Sequence, residues 1–323
     1  MTDLTFGVFV PQGWKMELSS FSDPREKWAK AVEVAQLAED LGFDSLWVYD
    51  HFHNVPKPAE EAVFECWTTL AAISQRTERI MLGQMVGCNP YRNPALLAKI
   101  TANIDVISGG RLIWGIGAGW YRNEFAGYGY EFPSNADRIR AMTECVEIVK
   151  GMWTEPSFSY NGRYYTLDRA QCDPKPLQNL PQILIGGGGE QMTLRSVARL
   201  ADAANFGGKP HEFAHKCDVL KGHCKDLGRD YDAIAKTWSP DCLVRETEAE
   251  LRDSGLGSLW GEAFDGWRAG NMVGTVEQVT EKLLEYVRLG ATGFYPWCRD
   301  YPDTKSMRLL AEKVIPEVRR AVR

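Results

Sequence analysis

The chain predicts an α/β fold, a single (β/α)8 barrel of the TIM type. Three observations predict it. Short apolar runs alternate with amphipathic helical stretches through eight units, the rhythm of a parallel sheet wrapped in helices. A length of 323 residues suits one elaborated barrel. One apolar run, Phe43-Asp44-Ser45-Leu46-Trp47-Val48-Tyr49, passes straight into Asp50-His51-Phe52-His53. That places an acid and two histidines at a strand's carboxyl edge, where barrels of parallel strands do their chemistry.

The elements follow in order. Residues 4–10 read as the first strand. Residues 24–41 read as a helix, with Asp23 as N-cap, Pro24 at the first helical position and Gly42 as the stop. Residues 43–49 are the second strand, 62–75 a helix, 80–86 the third strand, and 94–107 a helix ended by Gly109-Gly110. Residues 112–116 are the fourth strand and 136–152 a helix. Residues 155–180 then break the rhythm as an insertion before strand five: Asn161-Gly162 signals a tight hairpin, and Pro174, Pro176 and Pro181 an irregular connection. The fifth strand is 182–185, followed by helix 191–201, strand 203–206, helix 211–227 and a seventh strand at 235–244. Residues 247–272 mix helix-like and glycine-rich pieces and read as a long variable cover after strand seven. Helix 275–289, strand 292–297 and helix 304–321 complete one domain over 1–323.

Composition excludes several classes. Apolar residues make up 44% of the chain, ordinary for a globular protein, and its 11 Trp, 12 Tyr and 13 Phe are enough to line an aromatic pocket. The net charge is -6 with Lys and Arg scattered, which argues against a nucleic-acid surface. No apolar run of about 18 residues marks a membrane span. Met1-Thr2-Asp3-Leu4-Thr5 has no basic head or signal-like apolar run, so a cytoplasmic location is expected. The eight cysteines lie far apart with no C-x-x-C pair and read as thiols rather than disulfides or metal ligands.

Four constellations offer chemistry. Asp50, His51 and His53 combine histidines with a carboxylate, a set that trades protons near neutral pH; the bland reading is hydrogen bonding at a strand end. Gly186, Gly187, Gly188 and Gly189 lie between a strand and a helix, where bare amides and the helix dipole favour an anion, most naturally a phosphate; the bland reading is a flexible turn. Around Gly117, Ala118 and Gly119 small residues leave room for a flat ligand whose polar edge Asn123 and Glu124 would fix, as against close helix–strand packing. Met85, Val86 and Gly87 end the third strand before a loop in which Arg92 is a candidate anion partner, although loop arginines are usually just solvated. A metal set of His51, His53, His211, His215 and Asp300 is disfavoured, because His211 and His215 fall on an outer helix.

These motifs resemble the bacterial luciferase-like superfamily, and within it the deazaflavin oxidoreductases that use coenzyme F420. The pieces are Trp47-Val-Tyr-Asp-His-Phe52, Tyr91-Arg-Asn-Pro-Ala-Leu-Leu-Ala-Lys99, Asp105-Val-Ile-Ser-Gly-Gly-Arg-Leu112, Gly115-Ile-Gly-Ala-Gly-Trp120, Pro174-Lys-Pro-Leu-Gln178, Ile183-Leu-Ile-Gly-Gly-Gly-Gly-Glu190 and Pro302-Asp-Thr304, in order along nearly the whole chain. The resemblance implies a TIM-type barrel with an insertion before strand five and a deazaflavin in its mouth. It places Asp50 and His51 beside the reacting ring, with His51 as acid/base oriented or charge-balanced by Asp50. It implies a non-proline cis peptide at Met85–Val86 or Val86–Gly87 bulging against the ring, a turn at Gly117, Ala118, Gly119 and Asn123 along the cofactor, and the tail phosphate at Gly186, Gly187, Gly188 and Gly189. The reaction implied is hydride transfer to or from a small organic substrate, in a homodimer. FMN, used by monooxygenases of the same superfamily, is the alternative cofactor, and a non-catalytic flavoprotein would have no need of His51. Trp14, His53, Trp120 and Trp297 are candidates for the substrate side. They imply a roomy aromatic pocket with no basic cluster for a sugar phosphate.

Overall fold

The computed structural model describes residues 4–323; the first three residues of the N-terminal reading lie outside it. Eight strands form the barrel: β1 Thr5–Phe9, β2 Ser45–Val48, β3 Met81–Gln84, β4 Leu112–Gly117, β5 Gln182–Gly186, β6 Ala203–Asn205, β7 Ala235–Trp238 and β8 Gly293–Phe294. Each pairs in parallel with the next, and β8 pairs with β1, so the sheet closes. Closure removes free sheet edges. It also explains the near-continuous apolar runs, because strands filled from inside and covered by helices outside are buried on both faces; every residue of β2 and β4 is buried.

Local signals set the helix starts. Asp23 accepts a hydrogen bond from the Arg25 amide at 2.8 Å, and Asn93 takes the Ala95 amide at 2.9 Å ahead of helix Pro94–Ile107. Such caps satisfy amides that a first helical turn leaves open. Among the described residues no helix is long and apolar enough to cross a membrane.

The expected hairpin is present, and two expected strands need correction. The hairpin pairs Phe158–Asn161 with Thr166–Ala170 around a tight loop of residues 162–165, closed by the Gly162 amide on Tyr165 O at 2.9 Å. The Glu144 carboxylate accepts from the amides of Arg163, Tyr164 and Tyr165 and fastens the loop to helix Asn135–Thr154. The seventh strand divides at Ser239-Pro240, since proline brings no N–H to the ladder. Its second half, Asp241–Arg245, pairs with Met272–Thr275 and Trp297–Cys298 in a small parallel sheet beyond the carboxyl ends of β7 and β8. The eighth strand divides likewise at Pro296. The helix-like pieces expected of the cover are helices Glu248–Asp253 and Phe264–Ala269, and its Trp267 is buried with Leu243, Leu251 and Val273 in a second small core.

Candidate active site

Strand β2 delivers Asp50 and His51 to the mouth, and their side chains take different partners. The buried Asp50 carboxylate accepts from the Cys88 amide at 2.8 Å and from both terminal nitrogens of Arg92, at 2.6 and 2.9 Å. Arg92 also donates to Glu65 at 2.8 Å. Asp50 therefore ties the loop after β2 to the segment after β3, and Arg92 spends its charge inside the protein. His51 Nδ1 instead lies 2.8 Å from Glu124 Oε2. The expectation that Asp50 orients His51 is corrected here: consecutive residues leaving a strand diverge, and Glu124 of helix Arg122–Gly127 takes the imidazole.

Glu124 is fully buried and well satisfied. Its Oε1 accepts from the amides of Phe52 and His53 at 2.6 and 2.9 Å, and the Tyr91 hydroxyl donates to Oε2 at 2.7 Å. Burial pushes its carboxyl up, but the hydrogen bond and charge of His51, the His53 amide and Tyr91 outweigh that and hold it below the usual carboxylate range. The Tyr91 phenol is held the other way, raised by burial and by its neighbours Cys88 and Glu124. The site thus holds an ionised carboxylate behind a histidine.

His51 lines a mouth cavity of about 140 Å³ with Asp50, Met85, Val86 and Gly87. Trp14 lies flat on the imidazole, centroids 4.2 Å apart and planes 2° apart. Trp120 and Tyr121 each meet it edge-on at 5.8 Å. Trp120 is 55% exposed, a free aromatic face beside the histidine. Two substrate candidates fall elsewhere. Trp297 is buried outside the cavity lining, with Lys15 Nζ 4.2 Å from its ring centre. His53 packs against Gly127 and Tyr128, also outside the lining.

The third strand stops at Gln84 and pairing resumes at Gly87–Cys88. Between them the Met85–Val86 peptide is cis, one of the two bonds expected. Val86 fills space that glycines leave. A Cβ at Gly117 would sit 2.6 Å from Val86 Cγ2, and one at Gly186 2.7 Å from Cγ1. At Gly119 a Cβ would meet Cys88 Sγ at 2.6 Å. Ala118 is half-buried against the core, and Asn123 is exposed and outside the cavity lining.

The glycine loop divides by role. Gly186 makes room for Val86. The Gly187 amide donates to Asn205 O at 2.9 Å, and Lys216 Nζ donates to Gly188 O at 2.9 Å. Among the described residues the amides of Gly188 and Gly189 make no hydrogen bond within the protein. They are the part of the loop still open to an anion, so the residues present fit a phosphate-bearing ring cofactor. His215, on helix Pro210–Leu227, pairs with Glu190 at 3.2 Å. No group of three His, Cys, Asp or Glu is placed to hold a metal among the described residues.

Sequence reasoning named Glu124 only as a fixer of a ligand's edge and missed its hold on His51. It also missed the Trp14 stack. The available signal was Asn123-Glu124 opening a helix right after a glycine-rich strand end.

Residues 4–256 match the family model described as luciferase-like monooxygenase. The chain belongs to this luciferase-like family. Among curated relatives, the F420-dependent glucose-6-phosphate dehydrogenase of Gordonia bronchialis is 33% identical over 69% of this chain and 65% of its own. The enzyme of the same description from Microbacterium testaceum is 26% identical over 90% and 93%. In several other such relatives the matched stretch covers about half their length, as in Amycolatopsis mediterranei at 33% identity over 54% of this chain and 51% of the relative. Among solved structures, an F420-dependent secondary alcohol dehydrogenase in complex with an F420–acetone adduct superposes with TM-score 0.82 at 21% identity, covering 98% of this chain and 99% of that one. The EDTA monooxygenase of Chelativorans sp. BNC1 superposes with TM-score 0.83 at 16% identity, covering 99% and 94%. At these identities the likeness shows the luciferase-like barrel alone, and that barrel serves deazaflavin enzymes and monooxygenases alike.

Proposed function

We propose that this luciferase-like protein is an F420-dependent oxidoreductase that moves a hydride between the deazaflavin and a small organic substrate, with His51 as acid/base. The observation that carries it is the state of His51. One ring nitrogen is pinned by an ionised, fully buried Glu124, and the ring lies flat on Trp14. The other nitrogen makes no hydrogen bond among the described residues, and the ring lines the cavity. The curated relatives support F420 over FMN as the cofactor.

When bound, the deazaflavin supplies a carbon centre that takes up or gives back two electrons as hydride. Met85, Val86 and Gly87 would back its ring, and the Gly188 and Gly189 amides would take its phosphate. In the oxidative direction His51 Nε2 accepts the proton of the substrate hydroxyl as the carbon-bound hydride departs; in reverse it returns that proton to the carbonyl oxygen. Glu124 balances the imidazolium that forms. Tyr91 and the Phe52 and His53 amides keep Glu124 in place. Asp50 keeps the loop seated through Arg92 and Cys88.

The cavity lining contains no lysine or arginine. Lys15, at the β1 end of the mouth, is held by Asp241 at 2.8 Å. The substrate that fits this wall is an uncharged alcohol or carbonyl compound flanked by Trp14 and Trp120, rather than a sugar phosphate. The test titrates purified protein with F420 and with FMN, then offers the F420 complex secondary alcohols and glucose 6-phosphate while following deazaflavin absorbance. F420 binding with alcohol turnover is the expected result. Binding of FMN alone overturns the cofactor, and turnover of glucose 6-phosphate alone overturns the substrate class.

A further inference from the structure

A groove of about 400 Å³ lies outside the mouth, between helix Asn135–Thr154, the hairpin and helix Thr193–Leu200. Four arginines, Arg140, Arg163, Arg195 and Arg199, line it against two glutamates, Glu144 and Glu147. Both glutamates are already engaged: Glu144 caps the hairpin amides, and Glu147 takes the Tyr160 hydroxyl and Arg199. Among the described carboxylates Arg140 and Arg163 meet Asp137, at 3.5 and 3.6 Å, and Arg163 also lies over the Tyr164 ring, 5.3 Å from its centre. Arg195 is exposed and has no carboxylate within salt-bridge distance among the described residues. A concave surface with excess cations concentrates anions.

The groove continues the glycine loop. Gln191 and Met192, directly after Gly189-Glu190, form part of its wall. At its other end, helix Asn135–Thr154 reaches the mouth, where Arg138 Nε donates to Gly119 O at 3.3 Å. A chain leaving the mouth past the free Gly188 and Gly189 amides therefore arrives among arginines. Coenzyme F420 has such a chain: beyond ring and ribityl it carries a phosphodiester and an oligoglutamate tail. We infer that the groove binds this polycarboxylate tail, with Arg195 and Arg140 as its principal partners. Guanidinium matches carboxylate geometry with paired donors. The inference rests on the F420 reading and goes beyond it, because the groove would select for tail length.

Fluorescence anisotropy of the deazaflavin tests it with three probes: the ring-and-ribityl compound alone, F420 with one glutamate, and F420 with several. In wild type the long-tailed form should bind about 10-fold tighter than the one-glutamate form at low ionic strength, with the advantage shrinking in high salt. The double variant Arg140→Gln/Arg195→Gln should lose that advantage while binding the ring-and-ribityl compound as wild type does. Equal affinity of wild type for both tail lengths overturns the inference and leaves the F420 reading standing. So does equal weakening of all three probes in the double variant, which marks a general effect on the fold. If none of the three binds wild type, the F420 reading itself has failed.

Discussion

His51 Nδ1 and Glu124 Oε2 lie 2.8 Å apart although 73 residues separate them in the chain. The carboxylate has no exposure to water and is held by Tyr91 and two backbone amides as well. A histidine mounted this way keeps one tautomer and one orientation.

Replacing Glu124 with Gln keeps the shape and removes the charge. Turnover should fall by about 10-fold or more with F420 affinity nearly unchanged, because the lost charge acts on proton transfer and not on cofactor contacts. The kcat/KM profile against pH should change, since the carboxylate behind the proposed base, held below its ordinary range in wild type, is gone. An unmoved profile would make Glu124 a structural prop.

Stability should depend on pH through the same residue. The folded Glu124 carboxyl is lowered from its ordinary 4.5; burial alone would raise it, and His51 leads the groups that overcome that effect. Its contribution is complete above that ordinary value and is lost as pH falls through the lower folded one. Melting temperature measured from pH 7 down to pH 3 should therefore drop less steeply in Glu124→Gln than in wild type. Parallel curves would refute the assignment.

Asp50→Ala should damage the fold before the chemistry. It strips Arg92 of its bidentate partner in a site where the Asp50 side chain is 0% exposed and that of Arg92 12%. Breaking such a buried pair costs about 3–5 kcal/mol, read by denaturant unfolding. A variant of full stability with no turnover would instead place Asp50 in the reaction.

Gly117→Ala should cost about 1–3 kcal/mol by overpacking. The new methyl would stand 2.6 Å from Val86 Cγ2. Adding Val86→Ala should recover most of that loss. A double-mutant cycle with no coupling would show that Val86 is not the obstacle.

Helix Pro94–Ile107 was legible to the residue, because a cap, a first-turn proline and a closing glycine pair are adjacent in the chain. The break in strand seven was harder to read. One proline in an apolar run marks an interruption, but the choice of the sheet to which Asp241–Arg245 transfers depends on Met272–Thr275 and Trp297–Cys298, which come later in the chain. At the site, the pairing of Asp50 with His51 came from the family resemblance. Backbone alternation sends neighbours apart, and the two side chains take different partners, Arg92 and Glu124.

By itself the sequence determined the eightfold rhythm, the helix caps, the insertion before β5 and the presence of His51 at a strand's carboxyl edge. These follow from periodicity and local capping, which a few consecutive residues express. Tertiary structure alone decided that Glu124 rather than Asp50 holds His51, that Trp14 stacks on it, that Trp297 and His53 leave the cavity lining, and that Gly117 and Gly186 make room for Val86. Each of these joins residues from different βα units. Only the closed barrel, by setting which strand ends face one another, brings them within bonding distance.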